Sequence, residues 1–377
     1  MKCCKKCIQP DTRHGIEFDK DGVCGGCRYT ESWETIDWRR RKEELVQIAE
    51  NAKRMAREWN APYDCVIGVS GGKDSTFIAC YAKEQLGLNV LLVNSWPELL
   101  TDYGRYNLNN LRNQGFDLIQ FKANPVIAKK LALRSFVEYG HICKAYEYTV
   151  TCSSIIIADK FNIPLIINGG NGAQVWGTTK CQNASDDWFQ VVTASATNCG
   201  CNAKDWVDEE TDISKLFMYQ CPDLDRIKKR GIKAIFLQYY LKEYTAVGNA
   251  EFAVSRGMKG RYLDAPEEIG RYRPFSSIDD DLMVVNEMLK FYKLGFGRAS
   301  DDACLDIREG RIDRECGIQL TTRLDGLCAE KYIDKFCRYV GIDRNFLDEV
   351  LDRWVNKQLF EKNSNTNKYE RKFVVGG

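Results

Sequence analysis

Histidine is almost absent from this chain: His14 and His141 are the only two in 377 residues. That scarcity argues against a built-in glutaminase, because an activated cysteine nucleophile needs a histidine beside it, and the start Met1-Lys2 offers no N-terminal nucleophile. Charge of one sign is also lacking, since 54 Lys and Arg against 53 Asp and Glu leave +1. Nucleic-acid binders carry a basic excess or stripe. The basic run at 38–42 is followed at once by Glu43 and Glu44, so it reads as a solvated helix start. No apolar run approaches the roughly 18 residues that span a bilayer, and the charged start at 1–6 leads into no apolar signal segment. A cytoplasmic protein with neither membrane nor nucleic-acid partners is expected.

Cysteine, by contrast, is plentiful, with 17 residues. In a long chain without a signal segment these fit reduced thiols, metal ligands or redox chemistry better than disulfides. Cys65 and Cys80 sit inside apolar runs and read as core residues. Cys4-Lys5-Lys6-Cys7 and Cys24-Gly25-Gly26-Cys27 form two CxxC pairs, a spacing that lets two knuckles present four thiolates to one zinc ion. Gly25 and Gly26 are expected to supply left-handed backbone there, Asp21-Gly22 a turn between the short strands of a ribbon, and Cys3 is an extra thiol able to compete as a ligand.

The length suggests two or three domains, and 44% hydrophobic with 28% charged residues is an ordinary globular composition. The divisions expected are a zinc ribbon at 1–35, a connecting helix at 36–62, an ATP-binding domain at 63–206, a helical substrate or oligomerisation region at 207–361 and a frayed polar tail at 362–377. The connecting helix is placed at 41–59, ended by Pro62. From 63 onward strands at 64–69, 89–94, 118–121 and 164–168 alternate with helices at 74–86, 105–114, 125–139 and 152–161. This predicts an α/β fold, a doubly wound, mostly parallel sheet with ligands at the carboxyl ends of its strands. The polar stretch at 171–206 reads as a long active-site loop. Helices are expected beyond it at 227–243, 278–294, 314–323, 329–339 and 344–356.

Between the first strand and its helix lies Ser70-Gly71-Gly72-Lys73-Asp74-Ser75. A helix start exposes backbone N–H groups to an anion; Gly71 and Gly72 let backbone approach phosphate, Lys73 neutralises charge, and Ser70 and Ser75 add hydroxyls. The spacing is not that of a Walker loop, because Lys73 is followed by Asp74. A plain glycine turn capped by Asp74 would explain one residue and not the string.

This segment resembles the signature of the PP-loop family, whose members cleave ATP between its α and β phosphates. Three further segments, at 4–24, 163–171 and 293–301, resemble the N-acetyl sugar amidotransferases of bacterial surface-sugar synthesis, in lipopolysaccharide and pseudaminic or legionaminic acid pathways. The likeness runs in order along nearly the whole chain and thins between 171 and 270. It implies that an N-acetyl oxygen is adenylated and then displaced as AMP by ammonia, leaving an acetamidino sugar. Implied ligands are ATP, Mg2+ and Zn2+. Lys73, Asp74 and Arg298 are the implied catalytic residues, with Asp74 helping to hold magnesium and Arg298 a second anion clamp or a structural ion-pair partner. Ser70, Gly71, Gly72, Lys73, Asp74, Ser75, Asn94 and Gly169 form the implied nucleotide site; Cys4, Cys7, Cys24 and Cys27 form the metal site. An acetamido sugar and a separate glutaminase are the implied partners. The oligomeric state stays open, a homodimer among the options.

Two positions depart from that family's pattern: Tyr146 stands where a second cysteine would follow Cys143, and Gly170 replaces an acidic residue. They keep a rival in view, ATP-dependent sulfur transfer to tRNA or a small molecule, with an iron–sulfur cluster drawn from Cys143, Cys152, Cys181, Cys199, Cys201 and Cys221.

Overall fold

The computed structural model describes residues 1–194 and 202–377. Its centre is a five-stranded parallel sheet of β1 (Cys65–Gly68), β2 (Val90–Ser95), β3 (Asp117–Phe121), β4 (Leu165–Asn168) and β5 (Lys233–Phe236), in the order β3-β2-β1-β4-β5. Successive strand side chains point to opposite faces. Val66, Leu91, Val93 and Ile166 therefore enter one core, and Cys65, Ile67, Leu92, Leu165 and Ile167 the other. Two buried faces explain the apolar runs that marked these strands.

The helices in chain order are α1 (Gly25–Glu31), α2 (Trp38–Glu58), α3 (Lys73–Glu84), α4 (Asp102–Asn113), α5 (Pro125–Tyr139), α6 (Lys144–Lys160), α7 (Gly172–Val175), α8 (Gln190–Ala194), α9 (Leu224–Lys229), α10 (Ala246–Ser255), α11 (Pro266–Ile269), α12 (Leu282–Leu294), α13 (Arg298–Arg308), α14 (Arg314–Leu324), α15 (Glu330–Val340) and α16 (Arg344–Trp354). On one face α5 and α6 cover the sheet with Leu131, Ile155 and Ile156. On the other, α2, α3 and α4 cover it with Leu45, Ala49, Phe77, Ile78 and Leu108. Helix α2 begins three residues before the expected start, because the Asp37 carboxylate accepts from Arg40 N and caps it. The expected bounds of α5 hold: Asn124 caps it and Pro125 occupies its first turn, where a missing N–H costs nothing.

Beyond the sheet, α12, α15 and α16 pack on α5 through Val285, Met288, Phe336 and Val350. Phe136 of α5 and Phe336 of α15 meet edge to face at 5.3 Å, and emptying such a site costs about 3–5 kcal/mol. A helical C-terminal region is thus borne out.

Several expectations need correction. The apolar segment 227–243 is no helix: α9 ends at Lys229 and Lys233–Phe236 is β5, paired parallel with β4. A short buried strand and a buried helix share one apolar pattern, and the sheet consequently extends past position 206. Helix α6 begins at Lys144, eight residues before expectation. The N-terminal unit contains isolated bridges, Cys3 with Pro10 and Phe18 with Cys24, and no ribbon strands among the described residues. The tail is a hairpin of β6 (Phe360–Lys362) and β7 (Tyr369–Arg371). It is anchored by buried Phe360, and the Gly377 carbonyl accepts from Cys3 N at 2.9 Å.

Candidate active site

The sheet order reverses between β1 and β4, and a ligand crevice is expected outside the carboxyl ends of two such strands. A cleft of about 530 Å³ lies there. Its floor is Gly68 to Ser70, Gly72 to Ser75 and Asn168 to Gly170.

The phosphate cradle is built by its backbone. Gly71 has φ +80, and a Cβ on it would stand 2.9 Å from Asn107 Cβ of α4. That position needs glycine to turn the chain and to pack on α4, rather than to touch the cleft, which it does not line. Gly72 is the N-cap of α3 and has no side chain to cap it, so the first-turn N–H groups face the cleft with the positive end of the helix. Ser70 Oγ accepts from Gly72 N at 3.3 Å and Ser75 Oγ donates to the Gly72 carbonyl at 3.2 Å. Lys73 is only 14% exposed and ion-paired with Asp74. Asp74 is no cap: its Oδ1 accepts from Asn249 Nδ2 of α10 at 2.8 Å.

Besides Gly71, one of the expected nucleotide residues stands away from the cleft. Asn94 is fully buried and does not line the cleft; its Nδ2 donates to the Val69 carbonyl at 2.7 Å and ties β2 to the strand end that launches the cradle. Gly169 does line it, and a Cβ there would stand 2.7 Å from the Tyr244 hydroxyl. At Gly170, where an acidic residue was expected, Gln238 supplies a polar group: its Oε1 accepts from Asn171 N at 3.1 Å.

The facing wall comes from the chain beyond 269, and of its residues only Arg298 was singled out beforehand. Arg273, Ser276, Ser277, Asp279, Arg298, Asp302 and Arg308 all line the cleft. Ser277 adopts φ +44, a conformation a serine holds only when its surroundings impose it. Arg271 imposes it. This fully buried guanidinium donates to the Ser276 carbonyl at 2.7 Å and the Ser277 carbonyl at 3.1 Å, and burial lowers its pKa to about 10. Arg298 Nη2 donates to Ser277 Oγ at 2.5 Å, its Nη1 stands 3.7 Å from Asp301 and its Nε 3.9 Å from Glu287. Arg298 thus lines the cleft and has the structural ion-pair partners weighed for it. Asp302 accepts from Ser276 Oγ at 3.0 Å, and burial raises its pKa against the pull of Arg298 and Arg273. Asp279 is raised by burial to about 6.

Cys4, Cys7, Cys24 and Cys27 converge, with all four Sγ atoms within 4.8 Å of one another. Cys4 to Cys27 is 3.8 Å and Cys7 to Cys24 is 3.7 Å. A tetrahedron with Zn–S bonds of about 2.3 Å has edges of about 3.8 Å, so the donor set fits zinc. Four buried thiols this close compete for protons: hydrogen bonds from Cys24 and Cys27 lower the pKa of Cys4, while Cys27 is raised. A divalent cation relieves that conflict by taking four thiolates. Cys3 stands outside the group. Gly25 and Gly26 are not left-handed as expected but helical, in α1. Glycine is needed there for room, since a Cβ on Gly25 would lie 2.9 Å from Gly177 Cα and one on Gly26 would lie 2.6 Å from the Arg308 guanidinium.

No second group of three or more cysteine, histidine or acidic ligands occurs among the described residues. Cys143 and Cys152 are separately buried, and burial pushes the Cys143 thiol up. Cys181 and Cys221 are half-buried. Cys199 and Cys201 lie outside the described residues. His14 is exposed, as expected of a loop residue. His141 faces Glu147 at 3.5 Å and does not line the cleft.

Residues 269–373 match the family model described as LPS biosynthesis protein WbpG-like, C-terminal domain. That match spans Arg273, Arg298 and Arg308, so the family's region supplies the wall facing the cradle, and it agrees with the resemblance read from the sequence. Comparison with curated proteins finds no match. Among solved structures, NMN synthetase from Francisella tularensis is 16% identical, with 59% of this chain and 94% of that chain covered at a TM-score of 0.29. NH3-dependent NAD synthetase from Campylobacter jejuni is 16% identical over 52% and 94%, at 0.27. NAD+ synthetase from Burkholderia pseudomallei is 17% identical over 61% and 91%, at 0.29. No helix among the described residues is long and apolar enough to cross a membrane.

Proposed function

We propose that this chain is an ATP-dependent amidotransferase that converts the N-acetyl group of a sugar into an acetamidino group. The observation that carries this is the pairing of the uncapped α3 N-terminus and Lys73 with a facing wall drawn from the matched lipopolysaccharide-biosynthesis region.

An amide oxygen is a poor leaving group until it is bonded to phosphorus. In the first step the acetamido oxygen attacks the α-phosphorus of ATP, an O–P bond forms, and the bond to the β-phosphate breaks to release pyrophosphate. Lys73 and the first-turn N–H groups of α3 stabilise the charge that gathers on the phosphate oxygens. In the second step ammonia attacks the activated carbon, a C–N bond forms, the C–O bond breaks, AMP leaves with the electron pair, and the nitrogen gives up a proton. Asp74 and Asp302 are the cleft carboxylates suited to hold Mg2+, which when bound offsets the triphosphate charge. Arg298 positions the acceptor side through Ser277. The four cysteines hold structural Zn2+. Ammonia comes from a separate glutaminase, since neither histidine pairs with a cysteine nucleophile in the cleft. A cytoplasmic location and assembly as a homodimer belong to the same proposal, as do the domain limits given above with the ATP-binding domain carried past 206 to include β5; so does a free or nucleotide-linked sugar of the pseudaminic acid type.

The test is a pyrophosphate-release screen of acetamido sugars with ammonium or sulfide as nucleophile, read by product mass. Exchange of oxygen for an imino group makes the sugar lighter, and sulfur makes it heavier. Ammonium-dependent release lost in Lys73→Gln is expected. A heavier product would establish sulfur transfer instead, and release that survives Lys73→Gln would remove the cradle from the chemistry.

A further inference from the structure

Arg308, at the end of α13, touches both the four-cysteine group and the cleft. Its Nη2 donates to Cys24 Sγ at 3.4 Å and to Cys7 Sγ at 3.6 Å. Its Nη1 donates to the Val175 carbonyl, and Val175 lines the cleft together with Arg308 itself. The backbone locks the same two parts together: a Cβ on Gly177 would lie 2.4 Å from Gly26 N and 2.7 Å from Gly25 Cα, so the knuckle carrying Cys24 and Cys27 rests directly on the turn after α7. Just beyond that knuckle, Tyr29, Thr30 and Trp33 line the cleft.

A tetrathiolate bound to a divalent cation carries net negative charge. A guanidinium donating to two of its sulfurs takes up part of that charge and withdraws electron density from the metal–sulfur bonds. Because the same guanidinium fixes Val175, a movement of this wall changes the N–H···S bonds, and a change in the thiolates moves the wall.

We propose that Arg308 is a positioning residue that couples the four-cysteine metal centre to the cleft, so that filling the cleft is felt at the metal. This rests on the reading of the cleft as a nucleotide site. Coupling of this kind is reciprocal: whatever the ligand does to the metal centre, metal occupancy does to ligand affinity.

The experiment uses the full chain with cobalt(II) in place of zinc, whose thiolate-to-metal charge-transfer bands report the electron density on sulfur. α,β-Methylene-ATP is titrated in while its binding is followed separately by calorimetry. Expected are binding, a shift of the cobalt bands that saturates with it, and loss of the shift in Arg308→Gln, with Arg308→Lys restoring part of it. Binding with unchanged bands in the wild type, or an equal shift in Arg308→Gln, overturns the coupling and leaves the nucleotide site standing. Absence of binding overturns both. Should Arg308→Gln not fold, Arg308→Lys decides: a reduced shift supports the role of Arg308, and a shift equal to that of the wild type overturns it.

Discussion

Asn249 Nδ2 donates to Asp74 Oδ1 at 2.8 Å, joining two residues 175 positions apart. Asn249 is fully buried in α10, and Asp74 is the cradle carboxylate paired with Lys73. The bond fixes one oxygen of Asp74 and leaves the other to the lysine. Asn249→Ala removes it; a misplacement of the carboxylate worth about 1.4 kcal/mol lowers pyrophosphate release roughly tenfold. Steady-state kinetics with ATP as the varied substrate check this, and an unchanged kcat/KM would show that Asp74 needs no such support.

Gly71→Ala affects the cradle without touching a cleft side chain. Alanine is strained at φ +80, and its Cβ would press on Asn107 of α4. The loop must shift, and with it the N–H groups of α3. ATP binding measured by calorimetry should fall by about tenfold or more, while the melting temperature drops by a few degrees at most, roughly what 1 kcal/mol produces.

Cys24→Ser breaks the four-cysteine group at the residue that also caps α1, since Cys24 Sγ accepts from Cys27 N. Zinc content by atomic emission should fall from one per chain to near zero. The melting temperature should drop by roughly 5 °C or more, because loss of a structural metal is among the costliest single changes. A variant that keeps its stability would show that the group does not hold the fold.

Asp280 is buried at 3% exposure, and burial raises its pKa to about 7. Its folded-state pKa lies above the unfolded value near 3.8, so the native state holds the proton more tightly. The resulting stability is fully present below about pH 4 and is lost as pH rises through 7. Asp280→Asn keeps an acceptor for Leu282 N and cannot ionise. Its stability relative to the wild type, from urea titrations across pH 4–8, should therefore rise from pH 4 and level off above about 7; a flat difference throughout would contradict the assigned burial.

What could be read beforehand was contiguous. Residues 70–75 announce the cradle because one turn contains all its parts, and Cys4, Cys7, Cys24 and Cys27 announce a metal site because two tight knuckles impose the spacing. The first four strands were legible as apolar runs of the right length. β5 was not, because Ile227 to Leu241 carries apolar residues at spacings that serve a helix equally well. The facing wall was hidden for a different reason. Arg273, Ser277 and Arg308 of the wall, and Asn249 behind the cradle, lie more than 170 residues from the cradle, and nothing local distinguishes them from surface polar residues; only the packing of α10, of α13 and of the segment between α11 and α12 brings them in. Gly25 and Gly26 were noticed for their type and given the wrong cause, since close approach rather than left-handed backbone requires them.

The proposed chemistry turns on one atom, the acetamido oxygen that the cradle makes into a leaving group. An acetamido sugar substrate labelled with oxygen-18 in its carbonyl, incubated with the chain, MgATP and ammonium, should deliver the label into the phosphate of AMP, with none in pyrophosphate and none left in the product. Label retained in the product, or released into water while AMP stays unlabelled, would contradict it.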